Sequence, residues 1–139
     1  MILLDTSGLL AALDSSQRLH TPCAAALAGA ARPRLLSPFV LAELDHLIAS
    51  RVGSRAQLAL LEEVSSSVYQ LVTFDGQDVA SAHRVIQDFA DLGISLADAS
   101  LVILAGRYGV RDVLTLDTRH FRALRRPNGR PFRLLPADR

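Results

Sequence analysis

Apolar residues recur along this chain with two different spacings. Residues 1–4 (Met-Ile-Leu-Leu) are continuously apolar and stop abruptly at Asp5, the pattern of a strand buried on both faces. Val68–Phe74 and Val113–Leu116 predict two further strands, Arg34–Leu36 a short one, and Phe132–Leu135 an edge strand. The segments between them carry helical spacing. Ser7–Leu13 places Leu9, Leu10 and Leu13 on one face. A second helix is expected from Thr21, as N-cap, with Pro22 at its first position, to about Ala30. Ser37-Pro38 repeats that signature before Phe39–Ser50, and Arg55–Ser65 is amphipathic. Gln77–Leu92 and Ser95–Tyr108 end at Gly93 and Gly109, both suited to a helix C-terminus. A short helix over Thr118–Leu124 completes the series, and Pro127-Asn128-Gly129 turns the chain towards the last strand. Strands alternating with helices predict an α/β fold, a parallel sheet with helices on both faces.

In that fold Asp5 falls at the carboxyl end of the first strand, where open α/β sheets place their ligands. The chain has 139 residues, half of them hydrophobic, which predicts one domain (1–139) with a sizeable core. No apolar run reaches the roughly 18 residues of a spanning helix, so no membrane association is expected. The first residues lack a basic segment and reach a carboxylate at Asp5, unlike a signal peptide. The single cysteine, Cys23, has no internal partner, and a cytoplasmic location is expected.

Charge narrows the chemistry. The net charge is +1, all fifteen cationic side chains are arginine, and there is no lysine. That excludes a Walker lysine and a Schiff base. From Arg107 to Arg139 there are nine arginines against three aspartates.

Of the fourteen acids, four stand in the least polar company: Asp5 after MILL, Glu43 in FVLAEL, Asp98 in ISLADASLVILA, and Asp117 after VLTL. Asp5 and Asp117 could simply cap the helices that follow, each contributing about 1 kcal/mol, and Ser95–Asp98 fits a capping box. Glu43 lies too far inside its helix to cap anything. Its neighbours at helical spacing are Phe39, Val40 and Leu47, which puts it on or beside the buried stripe, with Asp45 and His46 on the wetter side. An internal arginine is one way to compensate it. A cluster of carboxylates at the sheet edge has another, because two of them about 4 Å apart repel by roughly 4 kcal/mol at an effective dielectric of 20. One or two hard divalent cations resolve that repulsion. No Cys/His spacing indicates zinc, and His20, His46, His83 and His120 read as surface or ordinary core residues.

The segments MILLDTSGLLAAL, SPFVLAELDHL, ISLADASLVILA and VLTLDTRHF resemble, in order and spacing, the four motifs of PIN-domain proteins, most closely VapC-type toxins of bacterial toxin–antitoxin pairs. The resemblance covers nearly the whole chain. It implies a three-layer α/β/α domain with a central, about five-stranded parallel sheet, and a Mg²⁺- or Mn²⁺-dependent ribonuclease. The family's acidic quartet maps onto Asp5, Glu43, Asp98 and Asp117 as catalytic and metal-binding residues, with Asp5 and Asp98 as main ligands and Thr6 as support. Many members carry a further acid two or three residues beyond the third. Ser100 and Leu101 stand there in this chain, and Asp117 is the residue available to serve instead. Arg119, Arg122, Arg125 and Arg126 are candidates for RNA contact, because an acidic cleft needs basic surroundings to attract a phosphate backbone. The resemblance also implies a cognate antitoxin that covers the cleft, a homodimer, and a toxin–antitoxin hetero-oligomer. The rival readings are a catalytically silent PIN-fold nucleic-acid-binding or scaffold protein, and a metal-dependent DNA nuclease. An aspartyl-phosphate phosphatase is disfavoured: Ser7 stands where its second aspartate belongs, and lysine is absent.

Overall fold

A computed structural model describes residues 1–139. The strands are β1 (Ile2–Leu4), β2 (Arg34–Leu36), β3 (Gln70–Leu71), β4 (Asp112–Leu114) and β5 (Arg133–Leu135). They form one wholly parallel sheet in the order β3-β2-β1-β4-β5. The apolar run at the start of the chain becomes the central strand, with β2 on one side and β4 on the other, as an unbroken apolar strand buried on both faces requires. Leu3 stands opposite both Leu35 and Val113, and Ile2, Leu3 and Leu4 are buried. Seven helices flank the sheet: α1 (Thr6–Leu13), α2 (His20–Gly29), α3 (Pro38–Arg51), α4 (Ser54–Ser65), α5 (Gly76–Asp88), α6 (Leu96–Tyr108) and α7 (Thr118–Ala123). The result is the expected three-layer arrangement, with α1 packed on α2 and α3, and α5 on α6.

Strand order reverses at β1: β2 and β3 lie on one side, β4 and β5 on the other. The crevice at the carboxyl ends of β1 and β4 is therefore the switch point at which such sheets bind ligands. α1 packs unusually close there. A Cβ on Gly8 would lie 2.4 Å from the Leu114 carbonyl oxygen, a backbone atom that cannot swing aside. Gly8→Ala should accordingly push α1 off β4, destabilise the fold by about 1–3 kcal/mol, and disturb Asp5. A lower midpoint in chemical denaturation checks this.

Three local expectations are corrected. The strand expected over 68–74 pairs only at Gln70–Leu71, because β3 is an edge strand whose residues are exposed; Val72 adds one more bond to the Leu36 carbonyl. Thr21 is not a cap: α2 begins at His20, and no side chain caps it. Pro22 still sits in the first turn, where its missing N–H forfeits no helical bond. The helix expected over 77–92 ends at Asp88, and a 3₁₀ turn (Ala90–Leu92) carries the chain to Gly93, whose φ is 63°.

Candidate functional site

The loop after β1 delivers Asp5 into the crevice. Asp5 occupies the N-cap position of α1 but makes no side-chain capping bond, which removes the simple capping explanation. Its Oδ2 instead accepts hydrogen bonds from Ser7 Oγ (2.8 Å) and Thr115 Oγ1 (2.7 Å). Those hydroxyls in turn accept from the backbone N–H groups of Leu116 (3.0 Å) and Asp117 (2.9 Å). The segment that carries Asp117 is thus fixed by the same hydroxyls that orient Asp5. Asp5 is 5 % exposed, and no arginine lies within ion-pairing distance of it. Burial pushes its carboxyl up to about 6, opposed by the Thr115 and Ser7 hydrogen bonds and reinforced by the charge of Asp98.

Asp98 and Asp117 are caps and something more. Asp98 closes a capping box with Ser95 at the start of α6. Asp117 Oδ1 accepts from the His120 N–H (3.1 Å) at the start of α7. One turn on, His120 Nδ1 lies 2.8 Å from Asp117 Oδ2 and 3.4 Å from Asp98 Oδ2. These approaches lack hydrogen-bond geometry, so Nδ1 is buried without a hydrogen-bonding partner. Ligand-type atoms of Asp98, Asp117 and His120 all lie within 4.8 Å of one another. The expectation that His120 is an ordinary surface or core residue is therefore corrected.

Glu43 requires a second correction. The buried stripe of α3 runs through Val40, Leu44 and Ile48, one position away, and Glu43 is exposed. No internal arginine neutralises it. It is tied to the crevice by Thr6, whose hydroxyl donates to Glu43 Oε2 at 3.0 Å. Thr6 follows Asp5 directly, so this bond brings the α3 carboxylate to the β1 loop. Glu43 and Asp5 fall outside the Asp98–Asp117–His120 group; the charge of Asp98 reaches Asp5, and Glu43 is joined to the β1 loop through Thr6.

Ser100 fills a structural role. It is fully buried and donates to the Ala97 carbonyl (2.6 Å). In its 2.7 Å contact with Ser37, Ser37 must therefore donate, while Ser37 itself accepts from the Phe39 N–H. This hydroxyl pair joins the start of the Glu43 helix to the Asp98 helix.

The four expected RNA-contacting arginines differ. Arg122 donates to Asp138 (2.7 Å), and that pairing, with the Leu134 N–H, holds the Asp138 carboxyl down at about 2. Arg125 donates to the carbonyls of Arg122 (2.7 Å) and Leu124 (3.0 Å), and Arg126 to that of Pro131 (3.2 Å). Arg119 is exposed and makes no such tie.

Oxygen donors from several carboxylates, an unpartnered imidazole nitrogen among them, and a buried acid with no basic counterpart suit a divalent cation. Asp98, Asp117 and His120 would hold it, with Asp5 and Glu43 alongside.

A wholly parallel sheet with carboxylates gathered at its switch point defines a class of α/β proteins with an acidic, cation-binding cleft. Within that class, the PIN-domain family model matches residues 2–127, and the chain belongs to the PIN-domain family. It is 39 % identical over 135 residues to ribonuclease VapC26 of Mycobacterium tuberculosis, an alignment covering 97 % of this chain and all of the relative. The crystal structure of M. tuberculosis VapC20, a sarcin–ricin loop cleaving toxin, superposes with a TM-score of 0.78 at 21 % identity, over 84 % of this chain and 90 % of that one. DNA-bound VapBC from Salmonella typhimurium superposes with a TM-score of 0.61 at 18 % identity, over 96 % of both chains. FitAcB from Neisseria gonorrhoeae does so at 0.61 and 24 % identity, over 85 % and 88 %. These three likenesses concern the fold.

Proposed function

We propose that this protein is a divalent-metal-dependent endoribonuclease, the toxin of a toxin–antitoxin pair, with Mg²⁺ or Mn²⁺ as its ion. The observation that carries the reading is the convergence of Asp98, Asp117 and His120 within 4.8 Å, beside a buried and unpaired Asp5. The 39 % identity to a ribonuclease along essentially the whole chain supports the same activity.

Each residue then has a task. Asp98 and Asp117 would hold the ion together with His120, and Asp5 adds a carboxylate from the end of the neighbouring strand β1. Thr6 holds Glu43 at the margin of the cleft. Ser7 and Thr115 act as positioning residues, fixing Asp5 and the Asp117 loop together. When bound, a divalent cation supplies Lewis acidity to a phosphoryl oxygen and offsets charge growing on the leaving oxygen. Arg119, free of internal ties, draws the phosphate backbone towards this acidic ground; Arg122, Arg125 and Arg126 extend its field from the same end of the chain.

An antitoxin partner fits the same electrostatics: an inserted arginine would form charge-assisted hydrogen bonds with carboxylates that otherwise need a cation. A homodimer, and a hetero-oligomer with that antitoxin, complete the proposal.

Incubating purified protein with RNA in Mg²⁺, in chelator, and as Asp98→Asn tests the reading. Cleavage should require the ion and fall on the order of 100-fold in the variant. Activity that survives both chelator and substitution would overturn it. RNA binding without cleavage in any ion would leave a silent scaffold.

A further inference from the structure

At the opposite end of the strands, the amino ends of β2 and β3 border an open cavity of about 410 Å³. Its lining comes from Arg32, Pro33 and Arg34 at the entry to β2, from residues 67–71 around β3, and from Val64 of α4. The only charged residues in that lining are the two arginines. Four other arginines of the chain (Arg107, Arg111, Arg122 and Arg133) pair with aspartates, but Arg32 and Arg34 have no carboxylate within that distance. Arg34 Nε is enclosed and has no hydrogen-bond partner. A buried donor left unsatisfied is costly, more so on a charged group, and an anion in the cavity would satisfy it.

One carboxylate borders the cavity: Glu63 stands behind Tyr69, against its hydroxyl and outside the lining, so the two guanidinium groups face the open space with one negative charge behind them. Tyr69 is buried, and burial, with Glu63 beside it, holds its hydroxyl well above the usual range, so it stays neutral. Ser67, on the rim, has a positive φ (64°) because it closes the C-terminus of α4, where its N–H and that of Val68 donate to the Val64 and Glu63 carbonyls.

We propose that this cavity binds a phosphate group through the guanidinium groups of Arg32 and Arg34. Guanidinium forks match phosphate oxygens in geometry as well as charge. The volume lies in the range of small-ligand sites, leaving room for a sugar or base attached to the phosphate, against Val64, Val68 and Tyr69. The phosphate belongs either to a free nucleotide or to an RNA strand running past the sheet edge. Asp5 and Asp117 follow the carboxyl ends of β1 and β4, so neither source competes with an ion in the acidic cleft.

Amide and arginine side-chain NMR of the full chain tests this in chelator, at ionic strength held constant with chloride. The probes are inorganic phosphate, a mononucleotide, and an RNA oligomer without terminal phosphates. Saturable shifts at Arg34 Nε–H and at the Tyr69 and Gln70 amides are expected, with affinity falling about tenfold or more in Arg32→Gln and in Arg34→Gln. Arg32 is exposed, so its variant tests the site even where Arg34→Gln does not fold. Saturation by the small probes alone assigns the site to a free phosphorylated ligand, and saturation by the oligomer assigns it to RNA; either upholds the proposal. Non-saturating drift, shifts that survive both substitutions, or shifts that follow protein concentration without any anion would overturn it, the last giving this face to a second copy of the chain. None of these readouts depends on RNA cleavage.

Discussion

Replacing Asp5 with asparagine is expected to abolish cleavage and, in the metal-free protein at neutral pH, to make the fold more stable. Both effects have one cause. Asp5 is buried without a cationic partner, and its carboxyl is raised from 3.8 to about 6. The unfolded chain therefore ionises first as pH rises. Between 3.8 and about 6 the folded state binds more protons, so stability falls as pH rises through that window and stays lowered above it. A shift of this size corresponds to roughly 3 kcal/mol, or a melting temperature on the order of 6–12 °C lower than with a neutral side chain. The asparagine amide avoids that penalty while keeping an acceptor for Ser7 and Thr115. In chelator, the variant should melt higher at pH 7, and the difference should vanish towards pH 4. Equal melting temperatures at pH 7 would mean that Asp5 already has a compensating partner. The wild type should regain more stability than the variant when Mn²⁺ is added, because an ion that binds only the folded state stabilises it by mass action and Asp5 adds a carboxylate beside the residues that would hold it.

The second large effect concerns a residue that the sequence alone passes over. His120→Ala should weaken Mn²⁺ binding about 10- to 100-fold, the usual range for a group that holds or orients a metal ligand, and calorimetric titration at fixed pH reads it directly. The expectation follows from a buried Nδ1 set between two carboxylates with no hydrogen bond of its own. A rise in affinity would instead make the imidazole an internal counter-ion that the metal must displace.

Much of this molecule is legible in its sequence because strong local signals agree with the tertiary environment. The unbroken apolar run before Asp5 can only be satisfied in the middle of a sheet, and Ser37-Pro38 and Ser95-x-x-Asp98 start their helices where they should. The failures have equally local causes. Edge strand β3 pairs on one side only, so its alternation overstates its length. Glu43 has apolar neighbours at spacings of three and four, yet the stripe passes one residue to its side, and only the Thr6 hydrogen bond reveals why a carboxylate stands there. His120 carried a usable signal, three residues beyond Asp117 and hence on the same helical face. Thr115, the one polar residue within VLTL, carried another: a hydroxyl in a buried strand needs a partner, and that partner is Asp5.

Residues 5, 43, 98, 117 and 120, scattered over the chain, must form a single cation-binding pocket if the proposed chemistry is to operate. Titrating ¹⁵N-labelled protein with substoichiometric Mn²⁺ and mapping the paramagnetic broadening tests this most directly. The expected result is broadening centred on the loops after β1 and β4 and the first turns of α6 and α7, spreading to Glu43 and abolished by Asp98→Asn. Broadening centred elsewhere, or dispersed over exposed carboxylates such as Glu62 and Asp91, would contradict it.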